Sequence, residues 1–289
     1  MNCSQNQTMH TTLSKSQAKV VGHYLATGDM DRSNWDFPGQ NYLEVEINGS
    51  RILRDALVAA VFERVPTSKQ RVTPHLGDLV TLTRDKVAPM VNGLFAVEER
   101  SIVMATLERS VIFLTPENIE SQLRASSWLS SSWSLANMYL LERGAEPLSP
   151  DAPSIVGMSE ETTCYLSLAY LGSQEREPFS DYLVHEAAHV FHNTRRCTIG
   201  LVETRSKEIL LNIDFRKRET FAYACEAYSR ILSLASTPKL RREALQVHAN
   251  GPLPGDSRMD QEEYLEILAA AVGPGNGWKR ILKACAPSR

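Results

Sequence analysis

Apolar positions along the chain recur at helical spacing in some segments and as short β-rich runs in others. Ile52, Leu53, Ala56, Leu57, Ala60 and Val61 predict an amphipathic helix over 51–65. Residues 14–25 also read as a helix. The runs 79–83, 102–107 and 111–114 predict short strands. Thr115-Pro116-Glu117 is a helix start, with Thr as N-cap and Pro at the first position. That helix is predicted over 117–143, stopped by Gly144 and Pro147. Strands are predicted at 155–158 and 163–168, and helices at 219–234 and 262–272. Residues 209–215 alternate weakly and fit a strand or a helix start. Residues 148–153, 172–178 and 250–257 read as loops, and Gly273-Pro274-Gly275-Asn276-Gly277 and Trp35-Asp36-Phe37-Pro38-Gly39 as turns. The first dozen residues are polar and read as loosely held.

These elements predict an α+β fold, mostly helical, with a small mixed sheet. The proline loop suggests a boundary between an N-terminal α+β region, 1–150, of unknown role and a C-terminal region, 151–289. The helix 117–143 is also able to pack on the second region and make one domain.

Composition narrows the classes without naming one. The 289 residues are 43% hydrophobic and 22% charged, which excludes a disordered chain and a small disulfide scaffold. The net charge of −3 argues against a nucleic-acid partner. The longest purely apolar run, 56–62, falls far short of the roughly 20 residues that cross a bilayer. No membrane association is expected, and the polar start of the chain lacks the apolar stretch of a secretory signal. Cysteines at 3, 164, 197, 225 and 285 are odd in number, widely spaced and without a CxxC. That pattern fits reduced thiols in the cytoplasm. Oligomeric state is left open.

The chemistry concentrates in His185-Glu186-Ala187-Ala188-His189, an HExxH motif. On a helix, residues i and i+4 share a face, so both imidazoles can hold one zinc ion. Glu186 is then placed beside the zinc-bound water as general base. At about 100° per residue, Leu183, Val184, Ala187, Ala188, Val190 and Phe191 fall on one arc. His185, Glu186, His189, His192 and Tyr182 fall on the other, and Ser180 or Asp181 supplies the N-cap. His192 reads as a supporting or substrate-facing residue, or else as a helix-surface histidine. A catalytic zinc needs a third protein ligand. Helical geometry puts Glu219, Tyr223 and Glu226 on one stripe of a later helix, which leaves Glu219 and Glu226 both open as ligands.

Over residues 180–232 the chain resembles the gluzincin metallopeptidases, zincins whose third ligand is a glutamate on a later helix. Their ligand glutamate often opens a Glu-x-x-Ala segment. Glu219-Thr220-Phe221-Ala222 matches that form better than Glu226-Ala227-Tyr228-Ser229. The subclass with a third histidine ligand is excluded, because Arg195 stands at that position. The resemblance implies Zn2+ held by His185, His189 and Glu219, with Glu226 in a supporting place. It also implies an edge strand beside the active-site helix, for which 163–168 is the candidate.

The expected activity is zinc-dependent hydrolysis of a peptide or protein substrate. Glu186 is its general base, and Tyr223, or failing it Tyr165, donates to the oxyanion. The basic excess over 195–219 reads as a solvated face or as a preference for acidic peptides. The alternative functions are a non-catalytic zinc-stabilised binding or regulatory protein and a nucleic-acid-associated factor. The glutamate at 186 argues against the first, since a structural zinc needs no general base.

Overall fold

The computed structural model describes residues 13–30, 36–65, 74–175, 177–205 and 207–287. The expectations for the first dozen residues and for Trp35 lie outside these; 36–39 are irregular. The chain begins with α1 (Lys15–Thr27), α2 (Tyr42–Arg64), α3 (Leu76–Leu94) and α4 (Val97–Ser110). Next come β1 (Val111–Leu114), α5 (Ile119–Ala125), α6 (Leu129–Glu142), β2 (Gly157–Glu160) and β3 (Thr163–Ser167). It ends with α7 (Tyr182–Asn193), α8 (Arg218–Leu234), α9 (Pro238–Ala249), α10 (Gln261–Ala271) and α11 (Gly277–Cys285). The fold is α+β, mostly helical, with a small mixed sheet.

The chain divides into two compact units, 1–67 with 116–154 and 68–115 with 155–289. The last division falls just after the proline loop, but α3, α4 and β1 cluster with the C-terminal residues rather than with the N-terminal region.

In the first unit, Ser14 and Gln17 form a capping box that starts α1. The buried Tyr24 hydroxyl donates to the Leu129 carbonyl at 2.7 Å, and Trp133 Nε1 donates to the Leu25 carbonyl at 2.9 Å. The helix predicted over 117–143 is broken into α5 and α6. The Ser132 hydroxyl accepts or donates at 2.5 Å to Ser126 and donates to the Leu123 carbonyl, so serines satisfy groups that a continuous helix satisfies internally.

In the second unit, 79–83 and 102–107 are helical, not strands. The β-rich windows sit inside longer stretches of helical period: Leu79, Thr83, Val87, Met90, Val91 and Leu94 form the buried face of α3. Ile209 makes an isolated antiparallel bridge with Arg195, 210–214 are irregular and Phe215 opens a 3₁₀ turn; Leu210 and Leu211 amides join the segment to α7 by bonding the Thr194 and Phe191 carbonyls. A 3₁₀ helix, Leu168–Glu175, takes part of the predicted 172–178 loop. The helices α9 and α11 have no counterpart in the sequence expectation, although Thr237 and Asn276 cap them in the ordinary way.

The sheet has the order β1-β3-β2, with β1 parallel and β2 antiparallel to β3. The strand expected at the edge, 163–168, is therefore central. Its burial explains this: residues 164–167 are all buried, whereas three of the four β2 residues are half-exposed. The edge beside α7 is β2. The core of this unit is closed by α7 against α8, where Ala187, Ala188, Ala222 and Ala224 are fully buried.

Candidate metal centre

The centre begins with the start of α7. Asp181, 1% exposed, is its N-cap and accepts from the Val184 amide. The same side chain accepts from the Tyr170 hydroxyl at 2.7 Å and from Lys86 Nζ on α3 at 2.8 Å. The Asp181 amide donates to Glu226 Oε1 on α8 at 2.6 Å. Three helices are thus registered at one residue, and the first turn of α7 is held still.

From that turn, His185 and His189 project to one side and place their Nε2 atoms 3.2 Å apart. Glu219, in the first turn of α8, brings Oε2 to 3.8 Å from His185 Nε2 and 3.6 Å from His189 Nε2. These three residues offer donor atoms that converge on one place. Glu226 does not join them; its Oε2 lies 3.1 Å from His185 Nδ1, on the rear of the ring. His192 is buried rather than on the surface or facing a cleft. Its Nε2 is 3.0 Å from His189 Nδ1, and its own Nδ1 is 3.0 Å from Asn193 Oδ1.

These rear contacts set the protons. Asn193 Oδ1 accepts from His192 Nδ1–H, which leaves His192 Nε2 to accept from His189 Nδ1–H. Glu226 accepts from His185 Nδ1–H. With both rings neutral, both Nε2 atoms carry lone pairs toward Glu219 Oε2; without a metal, the raised pKa of His185 supplies a proton among the three at neutral pH. Such a set repels itself unless a cation or a proton sits between. The spacing fits zinc: tetrahedral bonds of 2.0–2.1 Å put ligand atoms about 3.3–3.4 Å apart.

Charge follows the same geometry. Burial lowers the His185 pKa, but the hydrogen bond to Glu226 and the charges of Glu226, Glu186 and Glu219 outweigh it and raise it to about 8. Burial pulls His192 down to about 3, aided by the charges of His189 and Arg218, so it stays neutral. Burial raises Glu219, yet His189, His185 and Arg258 hold it below the usual carboxylate range.

Glu186 points beside the three donors, toward β2. Burial raises its pKa above the usual range, against the lowering by His185, His189 and a hydrogen bond from Ser159. A side-chain carbon added at Gly157 lies 3.2 Å from Glu186 Cγ, so glycine lets the edge strand approach the glutamate closely. The Tyr223 ring stands edge-on to His185, with centroids 4.4 Å apart. Burial and the charges of Glu226, Asp256 and Glu219 push its hydroxyl pKa up, so it remains a donor. Tyr165 does not belong to the site. Alternation along β3 sends Cys164 toward α7, where its thiol donates to the Glu186 carbonyl, and Tyr165 to the other face.

Three contributors lie outside any motif spacing. Lys86 and Ser159 lie far away in sequence, and Arg258, whose Nη1 is 2.7 Å from Glu219 Oε1, lies in a Pro/Gly loop with no motif. Comparison of the chain with protein-family models, with curated proteins and with solved structures gave no match to any of them.

Proposed function

We propose that the chain is a zinc-dependent metallopeptidase acting on a peptide or protein substrate. The observation that carries the reading is the convergence of His185 Nε2, His189 Nε2 and Glu219 Oε2, with a buried carboxylate, Glu186, adjacent but outside the donor set. His185, His189 and Glu219 would hold the ion. A bound zinc supplies a water of near-neutral pKa and polarises a carbonyl.

The chain's own groups supply the remainder. The Glu186 carboxylate, with its raised pKa, takes a proton from the attacking water and returns it to the leaving nitrogen. The Tyr223 hydroxyl donates to the oxygen on which charge develops. Glu226 and His192 keep the two imidazoles in the tautomers described above. Among the described residues β2 is bonded to β3 on one side only, which leaves an edge to which an extended peptide can add.

No helix of the described residues is long and apolar enough to cross a membrane. Cys164, Cys197, Cys225 and Cys285 are unpaired. With these thiols reduced, a cytoplasmic setting is part of the proposal.

The test is metal analysis of the purified protein, then cleavage of an unbiased peptide library with and without chelator. One zinc per chain and chelator-sensitive cleavage support the reading. Full cleavage in the presence of a strong chelator overturns it.

A further inference from the structure

The two carboxylate oxygens of Glu219 are used differently. Oε2 faces His185 and His189, while Oε1 is ion-paired with Arg258, 2.7 Å from Nη1. Arg258 belongs to the loop between α9 and α10, and its side chain is 67% exposed. Exposure alone suggests a loose arginine, but Asp256 grips it side-on. Nε donates to Oδ1 at 3.0 Å and Nη2 to Oδ2 at 2.6 Å. The Arg258 amide also donates to Asp256 Oδ1 at 2.8 Å.

The loop itself is fastened at both ends. His248 on α9 bonds the Tyr264 hydroxyl on α10 at 2.7 Å, Met259 is buried, and Asp260 caps α10. Asp256 sits at 14% exposure, so the brace is firmer than the guanidinium it holds.

A carboxylate facing two imidazoles is otherwise free to rotate about its last bond. An ion pair at one oxygen, with the guanidinium itself held by Asp256, restrains that rotation and leaves the other oxygen aimed at both Nε2 atoms. The geometry points to Arg258 as a positioning residue of the metal centre: braced by Asp256, it holds Glu219 so that one oxygen is presented to the cation. This rests on the zinc reading of the site. It makes the 250–260 loop part of the centre, although no residue in it ligates.

Orientation and charge predict opposite signs. A guanidinium near a dication is repulsive, so its removal tightens binding if charge alone matters. Removal weakens binding if Arg258 positions Glu219. Zn2+ alone is titrated into the 289-residue protein against a chelator of known affinity, for wild type, R258A, R258Q, D256A and the D256A/R258A double variant. The unfolding midpoint of each is measured with and without zinc. The expected result is a loss of affinity on the order of 10–100-fold for R258A. R258Q, which keeps an N–H donor and drops the charge, stays closer to wild type. D256A weakens binding less than R258A and adds little to it, because Asp256 acts through Arg258.

Unchanged or tighter zinc binding by R258A overturns the inference. If R258A also lowers the metal-free midpoint, the shift produced by zinc still reads the affinity by linkage. A shift equal to that of wild type overturns the inference in that case too. Absence of zinc binding by the wild type instead overturns the metal reading, and this inference with it, so the two failures are told apart by the wild-type arm.

Discussion

Glu226 stands behind His185, with Oε2 3.1 Å from Nδ1, while the Nε2 atom of the same ring faces Glu219. The two glutamates of α8 therefore have different work. Glu219 reaches the donor cluster, and Glu226 fixes the tautomer of a member of it.

This division predicts different losses. E219A is expected to abolish stoichiometric zinc binding. E226Q is expected to keep the metal with affinity reduced about 10–100-fold, as for other partners of ligating histidines. Zinc stoichiometry by elemental analysis and competition with a chelator distinguish the two. Full-affinity binding by E219A would remove Glu219 from the ligand set.

Glu186 is tested by its isostere. E186Q is expected to bind zinc as wild type does and to lose hydrolysis, because the amide accepts no proton. The raised pKa means that burial disfavours the charged form. Metal-free E186Q is thus expected to unfold at the same or a higher temperature than wild type at neutral pH, read by a thermal scan.

The pH dependence of the metal-free protein has two parts. His185 has a folded-state pKa of about 8 against an ordinary 6.5, so it favours folding fully below 6.5 and loses that contribution as pH rises through 8. His192 runs the other way. Its pKa of about 3 means that its contribution is present above 6.5 and is lost as pH falls toward 3. Urea unfolding between these limits is expected to show both slopes, and H185N to remove the upper one. Zinc must displace the His185 proton, so zinc affinity is expected to fall as pH drops below 8.

Gly157 separates geometry from metal binding. A side-chain carbon there meets Leu166 Cδ2 at 2.9 Å and Glu186 Cγ at 3.2 Å, and none of its three nearest atoms belongs to His185, His189 or Glu219. G157V is expected to keep its zinc and lose at least about tenfold in hydrolysis, the scale of a misplaced general base. Loss of zinc together with activity would show that the strand holds the histidines and not only Glu186.

Asp181 is the structural keystone of the site. D181A removes an N-cap and the carboxylate to which Tyr170 and Lys86 donate. The expected cost is about 2–4 kcal/mol, above a simple cap deletion. Denaturant unfolding measures it.

Whatever depends on local helical geometry was legible in the residue order. The i, i+4 spacing of His185 and His189, the place of Glu186 between them, an N-cap at Ser180 or Asp181 and the stripe of Glu219 and Glu226 follow from helical periodicity. Short β-rich windows misled at 79–83 and 102–107, because the helical period that absorbs them extends over whole elements. Only the tertiary structure decided which glutamate faces the histidines, and that β2 rather than β3 is the edge. It also brought Lys86, Ser159 and Arg258 to the site. Those outcomes depend on how helices and strands distant in sequence pack, and the pattern along one element carries no record of which side chains another element brings to it.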